Sequence, residues 1–105
     1  MAQFDVYPNP HPASRDRMPH VVDVQSGLID ALPTRLVTPL SRVTAGAARP
    51  PVNLCPQVRV GGEVLFLMPH LAAPVDKRVL RNAVCNVADR AHDISAALDA
   101  VMAGV

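Results

Sequence analysis

Short apolar runs separated by prolines fill the first two thirds of the chain. Alternation around Phe4 and Val6 predicts a first strand from Gln3 to Tyr7, followed by a stiff loop over residues 8–12. Because proline removes a backbone donor and breaks a helix interior, the eleven prolines leave room for a long helix only over residues 75–105. The pattern therefore predicts strands first and one long helix last.

The middle of the chain carries several further strand signals. Val58-Arg59-Val60 and Val64-Leu65-Phe66-Leu67 flank Gly61-Gly62, and two apolar runs joined by a Gly-Gly pair are typical of a β-hairpin. The spacing of the runs predicts a small antiparallel sheet that curls into a barrel or a sandwich, with residues 44–51 as a loop. The remaining predicted strands are the run of Val21, Val22, Val24 and Ile29, the run Leu36-Val37-Thr38, and a short strand at Val79-Leu80.

The carboxy-terminal segment has the periodicity of an amphipathic helix. Asn86 is the predicted N-cap, with Asp89 three residues later in the first turn, and Gly104 is the predicted C-terminal stop. Apolar residues recur every three or four positions, which places them on one stripe that can lie on the sheet. The stripe consists of Val87, Ala91, Ile94, Leu98, Val101 and Val105.

Length and composition narrow the classes of protein. A chain of 105 residues, 50% hydrophobic and 18% charged, is expected to fold as one domain over residues 1–105. The net charge of +1 argues against binding nucleic acid or an anionic membrane by charge. The longest uncharged apolar stretch, Val64 to Ala73, is too short to cross a bilayer, and the amino terminus has no signal-peptide pattern. A cytoplasmic location is expected, with Cys55 and Cys85 as free thiols.

Candidate catalytic and metal sites are weak. His11, His20, His70 and His92 lack metal-ligand spacing, so we expect neither metal nor cofactor. Asp89, His92 and Asp93 share the first turns of the helix, where acids are expected from capping alone, and no nucleophile accompanies them. Gly61-Gly62 lacks the Lys and Ser/Thr of a phosphate loop. The arginines of the first half are accompanied by acidic residues and few aromatic residues, which argues against a nucleic-acid-binding surface. A binding role, without enzymatic activity, follows by elimination.

Several segments, in order along the chain, resemble the CcdB family, the toxin half of plasmid addiction modules. Gln3-Phe4-Asp5-Val6-Tyr7 is similar to the family's first strand. Val22-Asp23-Val24-Gln25-Ser26 resembles its Val-Asp-Val-Gln-Ser segment, and Leu28-Ile29-Asp30 follows where the family has a similar apolar pair and Asp. The other matching segments are Arg35-Leu36-Val37-Thr38-Pro39-Leu40, Pro56-Gln57-Val58-Arg59-Val60-Gly61 and Asp93-Ile94. The resemblance covers the whole chain, with a small insertion near residues 8–12.

The resemblance implies a fold, a target and partners. The fold is a small SH3-like antiparallel β-barrel with one carboxy-terminal helix, assembled as a homodimer. The function is that of a toxin that binds the A subunit of DNA gyrase and traps the cleaved-DNA complex, while a cognate antitoxin with a disordered tail competes for part of the surface. The implied gyrase-binding residues are Ser26, Leu28, Ile29, Asp99, Met102, Ala103, Gly104 and Val105.

The chain departs from the family at its last residues. The best-known members end in Trp-Gly-Ile, whereas this chain ends in Ala103-Gly104-Val105, and Asp99 stands in place of an Asn. Loss of a central interface tryptophan typically costs about 2 to 4 kcal/mol of binding free energy. Two hypotheses follow: a toxin that poisons gyrase, or a diverged dimeric module that pairs with an antitoxin but has lost the gyrase target. In the second, the small residues at the helix end pack at a dimer axis.

Overall fold

Seven antiparallel strands and one helix make up the part of the chain that the computed structural model describes, residues 2–27, 31–42 and 54–103. The strands are β1 (Asp5–Pro8), β2 (His20–Asp23), β3 (Thr34–Ser41), β4 (Gln57–Val60), β5 (Glu63–Leu67), β6 (Ala73–Asp76) and β7 (Cys85–Asn86). The helix, α1, spans Ala91–Ala103. Short 3-10 turns lie at Pro12–Ser14, Pro69–Leu71, Lys77–Val79 and Ala88–Arg90.

The sheet order is β4-β5-β3-β2-β1-β7, with β6 paired to β3. The long strand β3 pairs with β2 along one edge, and along the other with β6 and then β5. Pro39 has no N–H to donate, and it lies in the gap between the β6 partners, which end at Val37, and the β5 partners, which begin at Leu40. The change of partner curls the sheet into a nearly closed barrel, which confirms the predicted fold class.

Both faces of the first two strands are buried, because successive side chains of a strand point to opposite faces. Val6 and Val22 lie in the main core, which also contains Ile94 and Ala97 of α1. Their neighbours Tyr7 and Val21 lie in a second apolar cluster with Val37 and Leu80. The helix α1 thus packs on the same core as β1 and β2.

Most predicted strands are confirmed, and the hairpin at Gly61-Gly62 is present, with both glycines at positive φ. The short strand predicted at Val79-Leu80 is wrong. Val79 ends a 3-10 turn whose N-cap, Asp76, accepts a hydrogen bond from the Arg78 N–H, so the chain curls at this point. The strand lies earlier, at Ala73–Asp76, where two prolines nearby obscured the pattern.

The helix begins later than predicted. Asn86 belongs to β7, and its Oδ1 accepts a hydrogen bond of 2.9 Å from the Ala88 N–H, which starts a 3-10 turn before α1. The predicted stripe is partly confirmed: Val87 and Ile94 are buried and Ala91 and Leu98 half-buried, but Val101 is 42% exposed. Ala97 is fully buried in its place. The predicted roles of Ile29, residues 44–51, Gly104 and Val105 lie outside the described residues.

Candidate functional site

The groups considered for catalysis are dispersed or already paired. His11, His70 and His92 are exposed and His20 is half-buried. The Asp93 carboxylate in the first turn of α1 lies 3.1 Å from Nη2 of Arg90, which ends the preceding 3-10 turn, and the two form an ion pair. Within residues 2–27, 31–42 and 54–103 there is no group of three or more His, Cys, Asp or Glu that could hold a metal ion.

The last turns of α1 present an exposed face. Ala96, Asp99, Ala100 and Ala103 line a surface depression, since positions separated by three, four and seven residues share a side of a helix. Beside them Met102 is 85% exposed, the largest exposure among the large apolar side chains of the described part. Single exposed apolar residues are common, but a nearly free methionine at a helix end offers a flexible apolar contact for a partner.

Ser26 lies at the exit of β2, immediately after a buried polar segment. Asp23, which ends β2, accepts a hydrogen bond of 3.0 Å from the Gln25 N–H through Oδ1. The Asp23 Oδ2 accepts a second, of 2.8 Å, from Nε of Arg35 on β3. Asp23 and Arg35 are 0% and 1% exposed. The chain therefore leaves β2 beside a fully buried ion pair, and Ser26 is the first exposed residue after it.

Gln25 completes this polar segment. Its Oε1 accepts a hydrogen bond of 3.1 Å from the Leu36 N–H, in the place of a backbone carbonyl. The Val24 N–H donates to the Leu36 carbonyl at 2.9 Å, so the pairing of the two strands continues by one residue beyond β2. From the amino terminus, Nε2 of Gln3 donates to the Val24 carbonyl at 3.2 Å. The segment before Ser26 is thus held from both sides.

Burial and neighbouring groups shift the pKa values of several side chains. Burial raises the pKa of Tyr7, and the nearby carboxylates of Asp5 and Asp23 raise it further. Partial burial acts to raise the pKa of Asp5, but hydrogen bonds from Asn86, the Ala2 N–H and Tyr7 outweigh it and lower that pKa. Burial also raises the pKa of the free Cys55 and Cys85 thiols, which disfavours the nucleophilic thiolate form of each.

The predicted site residues fall into two described groups. Ser26 follows β2, whereas Asp99, Met102 and Ala103 lie together on the last turns of α1. Both groups are anchored in one core, because Val24 packs in the cluster that contains Ile94 and Ala97. The other four residues of the predicted surface are outside the described residues: Leu28, Ile29, Gly104 and Val105.

Sequence reasoning missed Asp23, Gln25 and Arg35 as a structural unit. The available signal was the pair of polar residues in Val22-Asp23-Val24-Gln25, which interrupts an otherwise apolar run. In a strand with period-two alternation these polar side chains would be expected to face solvent. Their burial depends on an arginine 12 residues later, which no local pattern indicates.

A comparison with protein families identifies the family of this chain. The model of the family described as CcdB protein matches residues 3–104, nearly the whole chain. The chain belongs to the CcdB family. A comparison with curated proteins gives no match.

Membership of the CcdB family assigns the general role. The chain is a toxin of the toxin–antitoxin type, and the family acts by binding gyrase rather than by catalysis. An antitoxin partner and gyrase targeting follow for the family in general. In the described ranges no helix of this CcdB-family chain is long and apolar enough to span a membrane.

Proposed function

We propose that this protein inhibits DNA gyrase by binding its A subunit and trapping the cleaved-DNA complex. The observation that carries the proposal is the family match over residues 3–104, which includes both described groups of the candidate surface. On this proposal the whole chain, residues 1–105, is one toxin domain that acts in the cytoplasm, without a cofactor or metal.

The proposed gyrase-binding surface combines the exit of β2 with the end of α1. Met102 supplies apolar area, while the small residues beside it let a partner approach the helix backbone closely. Because the tryptophan of the best-known members is absent, Met102 must provide contact that the ring would otherwise provide. The proposed surface consists of Ser26, Leu28, Ile29, Asp99, Met102, Ala103, Gly104 and Val105.

Two protein partners besides gyrase belong to the proposal. A homodimer would cover apolar surface such as Val101, which is 42% exposed on the helix. Sedimentation at the mass of one chain, 11.2 kDa, at micromolar concentration would contradict the dimer. A cognate antitoxin would bind through a segment that folds on binding, which calorimetry detects as a negative heat-capacity change.

The function is tested with purified gyrase. We expect cleaved DNA to accumulate when the wild-type protein is added to gyrase and DNA. We also expect the protein to bind a gyrase A fragment in surface plasmon resonance. Removal of Gly104 and Val105 should abolish binding without unfolding the domain, and Met102→Ala should weaken it. Val64→Ala, which trims an exposed apolar residue on β5, is the matched control and should bind normally.

The outcomes separate the two hypotheses. If truncation leaves binding intact, the carboxy terminus is not part of the site. If neither the wild type nor an Ala103→Trp variant, which restores the missing tryptophan, binds gyrase, while the cognate antitoxin still binds, the diverged-module hypothesis replaces the toxin hypothesis. Induced expression in a gyrase-sensitive bacterium gives an independent test, since a live toxin stops growth.

A further inference from the structure

We propose that Asp23, Gln25 and Arg35 are positioning residues, which fix the backbone before Ser26 in the conformation that binds gyrase. The inference rests on the proposed function for its target. It concerns buried groups, none of which belongs to the proposed contact surface. The three residues are at most 5% exposed, so they act on a partner only through the chain that they hold.

The ion pair binds both backbone polar groups of Gln25. The Gln25 N–H donates to Asp23 Oδ1 at 3.0 Å, and the Gln25 carbonyl lies 3.4 Å from Nη2 of Arg35. Since Nε of Arg35 also donates to Asp23 Oδ2 at 2.8 Å, the guanidinium, the carboxylate and the Gln25 backbone form one closed unit. The planar guanidinium has fixed donor directions, so the unit sets the orientation of the backbone as well as its position.

The Gln25 side chain fastens this unit to β3. Its Oε1 accepts from the Leu36 N–H at 3.1 Å, and Leu36 directly follows Arg35. The side-chain amide therefore ends the strand pairing where a backbone carbonyl would continue it. Ser26, the next residue, emerges exposed from a backbone that is attached to β3 at two successive positions.

A second attachment comes from the amino terminus. The Phe4 N–H donates to the Asp23 carbonyl, and Gln3 donates to the Val24 carbonyl. Phe4 has φ of 71°, in the left-handed region that a bulky residue rarely adopts. Such a conformation persists only where the surrounding structure imposes it. Here it directs the Phe4 N–H at the carbonyl of Asp23, the acidic member of the ion pair.

Stability alone does not account for a buried ion pair. Replacing such a pair by apolar residues of similar volume is often neutral or stabilising, because removing two charges from water offsets much of their attraction. A preset conformation, in contrast, raises affinity because the partner does not have to order the segment. Positioning and stability can therefore be separated by experiment.

The decisive variant is the double substitution Asp23→Leu/Arg35→Met, which removes both charges together. We expect a urea midpoint between those of the wild type and Asp23→Ala, because the variant leaves no unpaired charge but removes the acceptor of the Gln25 N–H. Its affinity for the gyrase A fragment should be lower by about tenfold, the value for a segment that is competent in a tenth of molecules. Amide exchange at Leu36 and Ser26 should accelerate, while exchange in the β4–β5 hairpin stays unchanged. A structural effect alone would not produce this local pattern.

The matched control is Asp76→Leu/Arg78→Met, which removes an exposed ion pair of the same chemistry, 2.8 Å in length, at the end of β6. It should leave both binding and Leu36 exchange unchanged. Equal gyrase affinity of wild type and the Asp23/Arg35 variant overturns the inference.

If the wild type itself does not bind the fragment, the proposed function fails. The inference is then decided by exchange, and unchanged exchange at Leu36 and Ser26 overturns it. If the double variant does not fold, Gln25→Met takes its place, since it keeps both charges and removes the acceptor for the Leu36 N–H. We expect weaker gyrase binding with the β4–β5 hairpin unaffected, and unaltered binding would count against the positioning role.

Discussion

Asp23 and Asp76 make the same local structure in opposite surroundings. Each ends a strand after a valine, and each accepts a hydrogen bond from the backbone N–H two residues later and from an arginine. Asp23 and its arginine are 0% and 1% exposed, whereas Asp76 and Arg78 are 42% and 83% exposed. Because the hydrogen bonds match and the exposures differ, we expect the two turns to differ in their contribution to stability through burial.

The largest expected effect on stability is at Asp23, the buried one of the two aspartates. Asp23→Ala leaves the Arg35 charge buried without its partner, and breaking a buried ion pair on one side typically costs about 3 to 5 kcal/mol of the free energy of unfolding. Urea unfolding followed by circular dichroism measures this loss. Asp76→Ala is the control, and a comparable loss there would show that burial of the ion pair does not account for the difference.

A buried apolar side chain gives the scale for that loss. Ile94 is fully buried in the main core, so Ile94→Ala should lower the free energy of unfolding by about 2 to 5 kcal/mol through lost burial and a residual cavity. The same urea experiment applies, with Val64→Ala, at a position that is 39% exposed on β5, as the control. A small effect at Ile94 would mean that α1 is not anchored through this face.

The exposed end of the helix should affect binding but not stability. Ala103→Trp adds a rigid aromatic anchor where the side chain has room, and we expect it to raise affinity for a gyrase A fragment about tenfold, or about 1.4 kcal/mol. The urea midpoint should stay that of the wild type. Unchanged affinity, measured by surface plasmon resonance, would show that position 103 does not contact gyrase.

The smallest effect is expected at Asp76 in acid. Hydrogen bonds from the Arg78 side chain and backbone lower the pKa of Asp76 from 3.8 to about 2. A lowered folded-state pKa contributes stability above pH 3.8 that is lost as the pH falls through about 2. Asp76→Asn should therefore differ most from wild type above pH 3.8 and converge with it near pH 2 in urea titrations. A difference that grows towards pH 2 would contradict the assignment.

Local pattern predicted much of the fold and only part of the site. Alternation and the Gly61-Gly62 turn identified β1 and the β4–β5 hairpin, because strand period and turn residues are local properties. The predicted start of α1 is too early. Asn86 accepts a hydrogen bond from the Ala88 N–H, as an N-cap would, but Ala88 begins a 3-10 turn and not the α-helix. The role of Asp99, Met102 and Ala103 came from resemblance, and the exposed helix end is compatible with it.

The residue types at Asp23 and Asp76 favour a turn after each strand, whereas the surroundings of each turn depend on the folded sheet. A valine followed by aspartate ends both β2 and β6, since a carboxylate hydrogen-bonds readily to the N–H two residues later. At Asp76 the arginine partner is two residues away and remains in water. At Asp23 the partner arrives from β3, 12 residues later, and the sheet closes over both. Burial is a property of the assembled sheet, because it depends on which distant strands cover a residue.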